Sequence, residues 1–144
     1  MFNKETEYAL RSLVYIQHQN DRNIRPGIEE IAKEIEAPHA FTAKILQRLV
    51  RLGFVQSAKG RGGGFFFDPN KPVVTLHDLI QSTEGTRTYE GCGFGLKTCD
   101  DAHPCPLHFQ YAPIRAALQK LVREESIQSL ARNPHSHFKA AAKK

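Results

Sequence analysis

The sequence predicts a mainly α-helical protein with one small β-hairpin, arranged as a winged helix-turn-helix followed by a long C-terminal helix. Three observations lead there. Apolar residues recur at helical spacing in three successive segments before Gly53. A glycine-rich cationic stretch between two short apolar runs follows directly, and a further amphipathic stripe begins near Pro113.

The first helix is expected over residues 6–17, where Ala9, Leu10, Leu13 and Val14 share a face. Glu5 and Glu7 sit near its start, where the helix dipole favours acids. After a polar turn and Pro26-Gly27, Ile28, Ile31, Ala32 and Ile35 repeat at i, i+3, i+4, i+7, so a second helix runs to about Glu36. A break at Ala37-Pro38 separates it from a third, which turns Ile45, Leu46 and Leu49 inward with support from Thr42 and Leu52. That helix stops at Gly53, a residue suited to a left-handed cap. Such a pair of short helices is either an ordinary helical hairpin or a helix-turn-helix.

The next segment favours the second option. Phe54-Val55-Gln56-Ser57 and Phe65-Phe66-Phe67 read as strands, separated by Ala58-Lys59-Gly60-Arg61-Gly62-Gly63-Gly64, whose glycines supply the positive φ angles of a hairpin. A hairpin directly after the second helix of such a pair is a wing. Pro69-Asn70-Lys71-Pro72 closes it, and Thr75 with Asp78 resembles a capping box opening a short helix through Thr83. Residues 84–106 then lose regular patterning and hold Gly85, Gly91, Gly93, Gly95 and all three cysteines. From Pro113 or slightly earlier, Ile114, Ala117, Leu118, Leu121 and Val122 form a stripe opposite Arg115, Lys120, Arg123 and Glu124. This helix can bury its stripe on its own domain or against a second copy. Ser126 caps a last turn containing Ile127, Leu130 and Ala131, and a basic tail closes the chain.

The 144 residues are 40% hydrophobic and 24% charged, as in globular rather than disordered or membrane proteins. No apolar run approaches the ~20 residues that span a bilayer, and the first residues carry no signal-peptide core, so a cytoplasmic protein without a membrane partner is expected. The net charge is +5 and the pI 9.2. More telling is position: Lys44, Arg48, Arg51, Lys59 and Arg61 fall in an acid-free stretch, a footprint for a polyanion such as double-stranded DNA. His39, Ala40, Ala43, Lys44, Gln47, Arg48 and Arg51 face outward on the third helix. Residues near its start suit base contacts, with His39 ranked below Lys44 and Gln47, while Arg48 and Arg51 suit phosphates. In the wing, Gly62 and its neighbouring glycines allow close backbone approach, with Lys59 and Arg61 at the tip. A nucleotide-binding loop is disfavoured, because the stretch lacks the Lys-Ser/Thr ending and a following helix.

The cysteines read Cys92-x6-Cys99-x5-Cys105-x2-His108. Metal binding would replace the core this loop lacks. Zinc is one occupant, although close Cys-x2-Cys pairs are missing, and the wide spacing suits an iron–sulfur cluster. Unligated cysteines or a thiol redox sensor are the remaining options.

Several of these motifs together resemble a known family. Thr6-Glu7-Tyr8-Ala9-Leu10-Arg11, the hairpin from Lys59 to Phe65, Cys105-Pro106-Leu107-His108 and Ser126-Ile127-Gln128-Ser129-Leu130-Ala131 look like the winged-helix bacterial transcription regulators that include IscR, NsrR and CymR. The likeness runs nearly the whole chain up to Arg132. It implies a homodimer built on the C-terminal helix, a palindromic or pseudo-palindromic operator, and a cluster whose state changes operator affinity. In IscR-like members three cysteines and a histidine matching His108 hold a 2Fe-2S cluster. In NsrR-like members an acid matching Glu7, offered by the partner subunit, completes a 4Fe-4S site that senses nitric oxide. Two features depart from the pattern: the first cysteine spacing is one residue longer than the commonest, and Ala43 stands where IscR has an acid that helps select DNA sites.

The expectation is therefore a non-enzymatic, dimeric DNA-binding regulator, or repressor, with an iron–sulfur cluster, 2Fe-2S before 4Fe-4S, that senses redox state, nitric oxide or cluster status. Its parts would be a winged helix over 1–83, a cluster loop over 84–108, a dimerisation helix with a last turn over 109–132, and a flexible tail over 133–144. Alternatives are a winged-helix regulator controlled by a partner protein without a metal, and an iron–sulfur electron carrier or cluster-delivery protein. The wing argues against the last, since electron transfer needs no cationic hairpin.

Overall fold

The first helix, α1 (Lys4–Asn20), is the member against which the others assemble. Its Asn3 cap accepts a hydrogen bond from the Thr6 N–H at 2.8 Å, which starts the helix two residues before the expected position. In the computed structural model, which describes residues 2–134 and His137, Ala9, Leu13 and Ile16 of α1 are completely buried. Against them pack Ile31 and Ile35 of α2 (Ile28–Ile35) and Leu46 and Leu49 of α3 (His39–Arg51). The capping glycine after α3 behaves as expected, with Gly53 at φ 84°. Leu52 does not: it sits at the C-cap and is 44% exposed, and the flanking Val50 and Phe54 pack against the core in its place.

The wing is a two-stranded antiparallel hairpin of β1 (Gln56–Ala58) and β2 (Gly64–Phe66), in register Gln56↔Phe66, Ser57↔Phe65 and Ala58↔Gly64. β1 begins two residues later than the sequence suggests. Val55 is 2% exposed and Phe54 is packed on the core, so both serve as the floor under the hairpin. The base of the wing is docked on the α1–α2 connection. The Phe65 N–H donates to the Pro26 carbonyl at 2.9 Å, and the Asn20 side chain donates to the Phe65 and Ile24 carbonyls while accepting from the Phe67 N–H. Gly64, at φ 134°, passes so close to Arg25 that a Cβ would lie 2.2 Å from its carbonyl oxygen, so no other residue fits there.

The capping box at Thr75 and Asp78 opens α4 (Leu76–Thr83) as expected, with both reciprocal hydrogen bonds formed. A four-residue helix, α5 (Arg87–Glu90), is an addition that no periodicity announced. The long helix α6 (His108–Glu124) begins well before Pro113, which lies in its second turn and leaves one backbone hydrogen bond unmade. Its apolar stripe divides: Val122 is buried and Leu118 packs on the domain core, whereas Ile114 and Leu121 are 60% and 49% exposed. The chain then turns back. Thr75 and Ser126 bridge, and α7 (Ile127–Ala131) lies along α1, fastened by two hydrogen bonds from the Arg132 guanidinium to Asp21. The basic tail expected over 133–144 falls, apart from Asn133, Pro134 and His137, outside the described residues. Among the described residues, no helix is long and apolar enough to cross a membrane.

Two expectations follow from these anchors. Replacing Asn20 with Ala removes three hydrogen bonds at the wing base and should lower stability by about 1–3 kcal/mol, read from the denaturation midpoint. An unchanged midpoint would mean that the wing is held elsewhere. Burial raises the Asp21 pKa, but hydrogen bonds from Arg132 and Gln17 outweigh it and hold the carboxyl below its ordinary value. A depressed folded-state pKa gives stability that is present above the unfolded value of about 3.9 and is lost as pH falls through the folded value. Asp21→Asn should flatten that acid limb.

Candidate nucleic-acid interface and metal centre

Burial of Thr42, Ile45, Leu46 and Leu49 fixes the rotation of α3, and the Thr42 hydroxyl adds a bond to the Pro38 carbonyl at 2.9 Å. His39, Ala40, Lys44, Gln47 and Arg51 consequently project into solvent, with Ala43 half-buried beside them. The side chains of Lys44, Gln47 and Arg51 make no hydrogen bond or ion pair among the described residues, and the same holds for those of Lys59 and Arg61 in the wing loop. Gly60 and Gly62 adopt φ of 86° and 76°, and a Cβ on Gly63 would lie 2.3 Å from the Ala58 carbonyl oxygen. The loop thus needs its glycines to turn at all, and its tip presents two unneutralised cations.

Arg48 stands apart from this set. Its guanidinium forms an ion pair with Glu5 at the start of α1 and donates to the Ser82 carbonyl in the last turn of α4 at 2.8 Å. It joins three helices as well as carrying charge. Two residues that the charge pattern did not single out also belong to this surface. Phe41, 38% exposed on the first turn of α3, rests edge-on against Tyr8 with ring centroids 5.2 Å apart. The Arg25 guanidinium lies over the Phe66 ring at 3.8 Å. An aromatic residue on the polar side of the α3 wheel was the available signal for Phe41; Arg25 had none.

The second constellation lies between α5 and α6. Cys92 lies two residues beyond the end of α5, and Cys105 precedes α6, whose first residue is His108. The loop between them folds back so that the Sγ atoms of Cys92, Cys99 and Cys105 all lie within 4.8 Å of one another, Cys92 and Cys105 being 3.6 Å apart. Gly93 permits the return, since a Cβ there would meet the Tyr111 ring at 2.7 Å. His108 is 5% exposed; its Nδ1 is 3.2 Å from the Cys99 Sγ and its Nε2 is 2.8 Å from the Asp101 carboxylate. An imidazole donating from Nε2 to a carboxylate leaves Nδ1 as the acceptor, the form that ligates metals, and such a carboxylate raises its basicity.

The thiols are chemically unequal. The backbone N–H of Leu96 pulls the Cys92 thiol down to about 6, against desolvation and with the help of the Phe94 N–H, so it is largely thiolate at neutral pH. The Cys105 backbone pulls the Cys99 thiol the same way, but desolvation and the two neighbouring thiols outweigh it and raise it. Of these two, Cys92 is the one favoured as thiolate. Three converging thiols and an oriented imidazole form a donor set that fits a thiolate-bound metal or an iron–sulfur group. Glu7 lies on α1 and is not part of this group within the chain. Asp101 was missed in the sequence because nothing in its spacing tied it to His108.

Comparison with known proteins gives a consistent picture. Residues 2–133 match the family model described as Rrf2, iron-dependent transcriptional regulator. An HTH-type transcriptional regulator of Aquifex aeolicus is 29% identical over 140 residues, which is 96% of either chain. The HTH-type transcriptional repressor NsrR of Streptomyces coelicolor is 31% identical over 104 residues, 72% of this chain and 66% of its own. Among solved structures, CymR, described as the global cysteine regulator of Bacillus subtilis, superposes with a TM-score of 0.71 at 18% identity, covering 91% of this chain and 95% of its own. That likeness concerns the fold.

The free cations at the wing tip make a quantitative expectation possible. With both Lys59 and Arg61 replaced by Ala, the slope of log affinity for duplex DNA against log salt should fall by about 1.8, at ~0.9 for each phosphate no longer neutralised. An unaltered slope would remove the wing from the interface.

Proposed function

The chain belongs to the Rrf2 family of transcriptional regulators, and from that membership we propose that it is a dimeric, metal-responsive repressor whose operator affinity is set by an iron–sulfur cluster. The family consists of DNA-binding regulators rather than enzymes. In this reading residues 1–83 read the DNA, 84–108 hold the cofactor and 109–132 build the dimer. Lys44 and Gln47, with His39, Ala40 and Ala43 beside them, meet base edges; Arg48, Arg51, Lys59, Arg61 and the Gly62 backbone meet phosphate.

The observation that carries the metal-responsive part is the convergence of three thiols within 4.8 Å beside the buried His108 imidazole, which the exposed Asp101 carboxylate orients. Cys92, Cys99, Cys105 and His108 would hold a 2Fe-2S cluster by preference. Glu7 of a second copy is the alternative fourth ligand and would favour a 4Fe-4S cluster. When bound, such a group supplies a redox couple and a lability to oxidants and nitric oxide. The chain's own part is to keep Cys92 ionised, to aim the His108 lone pair through Asp101, and to tie both to α5 and α6.

A second reading has one observation in its favour. For metal–sulfur bonds of about 2.3 Å the edge of a tetrahedral site is about 3.8 Å, close to the 3.6 Å between Cys92 and Cys105. A single tetrahedral ion would therefore fit the thiols with less opening of the loop than a cluster. The exposed side of α6, with Phe109 at 63%, Ile114 at 60% and Leu121 at 49%, supports assembly across a two-fold axis, as needed to match two half-sites.

Anaerobic purification followed by iron, sulfide and zinc analysis tests the cofactor. Iron and acid-labile sulfide together, lost in Cys92→Ala, Cys99→Ala and Cys105→Ala, are the expected result, and His108→Ala should lose the cluster where Glu7→Ala keeps it. Asp101→Asn should weaken retention about 10- to 100-fold. Stoichiometric zinc without sulfide would replace the cluster by the single ion, and metal-free protein would move control to a partner protein. For the assembly, Ile114→Glu with Leu121→Glu should yield monomer by light scattering; a folded dimer would put the interface elsewhere.

A further inference from the structure

We infer that the Tyr89–His77 hydrogen bond makes these two residues positioning residues for DNA binding, carrying the state of the thiol centre to α3; this rests on the metal-responsive reading above. The four residues of α5, with no side-chain cap at the N-terminus, cannot sustain a helix alone, because the first turn fixes three residues for a single bond. Neighbours hold it instead. From α6, the Gln119 side chain donates to the Tyr89 carbonyl at 2.5 Å, the Tyr111 hydroxyl to the Thr88 carbonyl at 2.6 Å, and Arg115 to the Gly91 carbonyl at 3.0 Å. From the other end comes Cys92, two residues beyond Glu90. The place of α5 is thus set jointly by α6 and by the first thiol, and a shift of Cys92 on gaining or losing a bound group moves it.

Tyr89 is the outlet of that movement. Its side chain is completely buried, and its hydroxyl shares a hydrogen bond of 2.7 Å with His77 Nδ1 on the first turn of α4. α4 is eight residues long, and at its far end the Ser82 carbonyl holds Arg48 at 2.8 Å. The Thr83 hydroxyl there also meets the Thr6 hydroxyl at 2.7 Å, at the start of α1. Arg48 belongs to α3, so a tilt of α4 reaches the DNA-reading helix through one guanidinium. Local elements held by a few hydrogen bonds, coupled to a packed helix, are the kind of structure in which a small displacement at one site alters another.

The test compares operator affinity of the anaerobically purified, metal-containing protein with that of the same protein stripped by a chelator. The probe is a duplex enriched by the wild-type protein from a random-sequence library, and metal content is measured throughout. Tyr89→Phe, which deletes only the hydroxyl, and His77→Leu should each shrink the ratio of the two affinities by about 2- to 30-fold while retaining the metal. His77→Asn, whose amide can replace the Nδ1 contact, should restore it. A wild-type ratio in Tyr89→Phe would overturn the relay, as would loss of the metal in step with the ratio, which would make Tyr89 a loop-folding residue. If wild-type protein itself binds DNA equally with and without metal, the metal-responsive reading fails first and the relay with it.

Discussion

Burial of one face of α1 is the constraint on which the rest of the structure depends. Ala9, Leu13 and Ile16 lie at the centre of the core, and α2, α3, α4 and α7 all reach this helix. Each fully buried large aliphatic side chain contributes about 1.5–3 kcal/mol, enough that the position of α1 governs its neighbours. The two ends of the same helix then do specific work. Asn3 and Thr6 at the start meet Glu84 and Thr83 of the α4 terminus, and Asn20 at the end clamps the wing. α3 and the wing are thereby held in one frame, each carrying exposed cations.

The cysteine loop obeys a different logic. Few apolar residues are available between Gly91 and Leu107, and the exposed Phe94 and Leu96 contribute little to any core. What shapes the segment is chemistry at its ends: backbone amides that stabilise the Cys92 thiolate, a buried imidazole oriented by a carboxylate, and a glycine pressed on Tyr111. A loop of converging thiols without an apolar core would gain stability from a bound cation or cluster that neutralised its thiolates.

α5 and α6 join these two regimes. Side chains of Tyr111, Arg115 and Gln119 hold the backbone of α5 and Gly91, while Val122 and Leu118 bind α6 to the domain core. α6 keeps a second, exposed side, and so a single helix supports the cysteine loop on one flank and offers exposed apolar residues on the other.

The sequence by itself determined whatever repeats locally. Helical spacing placed α1, α2 and α3, the glycines marked the wing, and Thr75 with Asp78 opened α4, because apolar periodicity, φ preference and capping act within a few residues of one another. Cys92, Cys99, Cys105 and His108 stood out as residue types in one unpatterned loop, and the fold brings the three thiols within 4.8 Å of one another with His108 beside Cys99. Tertiary structure decided what depends on residues distant in the chain. Leu52 turned outward because the core was already filled by Val50 and Phe54; Arg48 became a tie among three helices because Glu5 and Ser82 came within reach; α5 formed because α6 supplied its hydrogen bonds. Asp101 gained its role only when the loop folded back on His108. A side chain's period and type can be read from its neighbours in sequence, whereas its partner is chosen by whichever surfaces the buried face of α1 brings together.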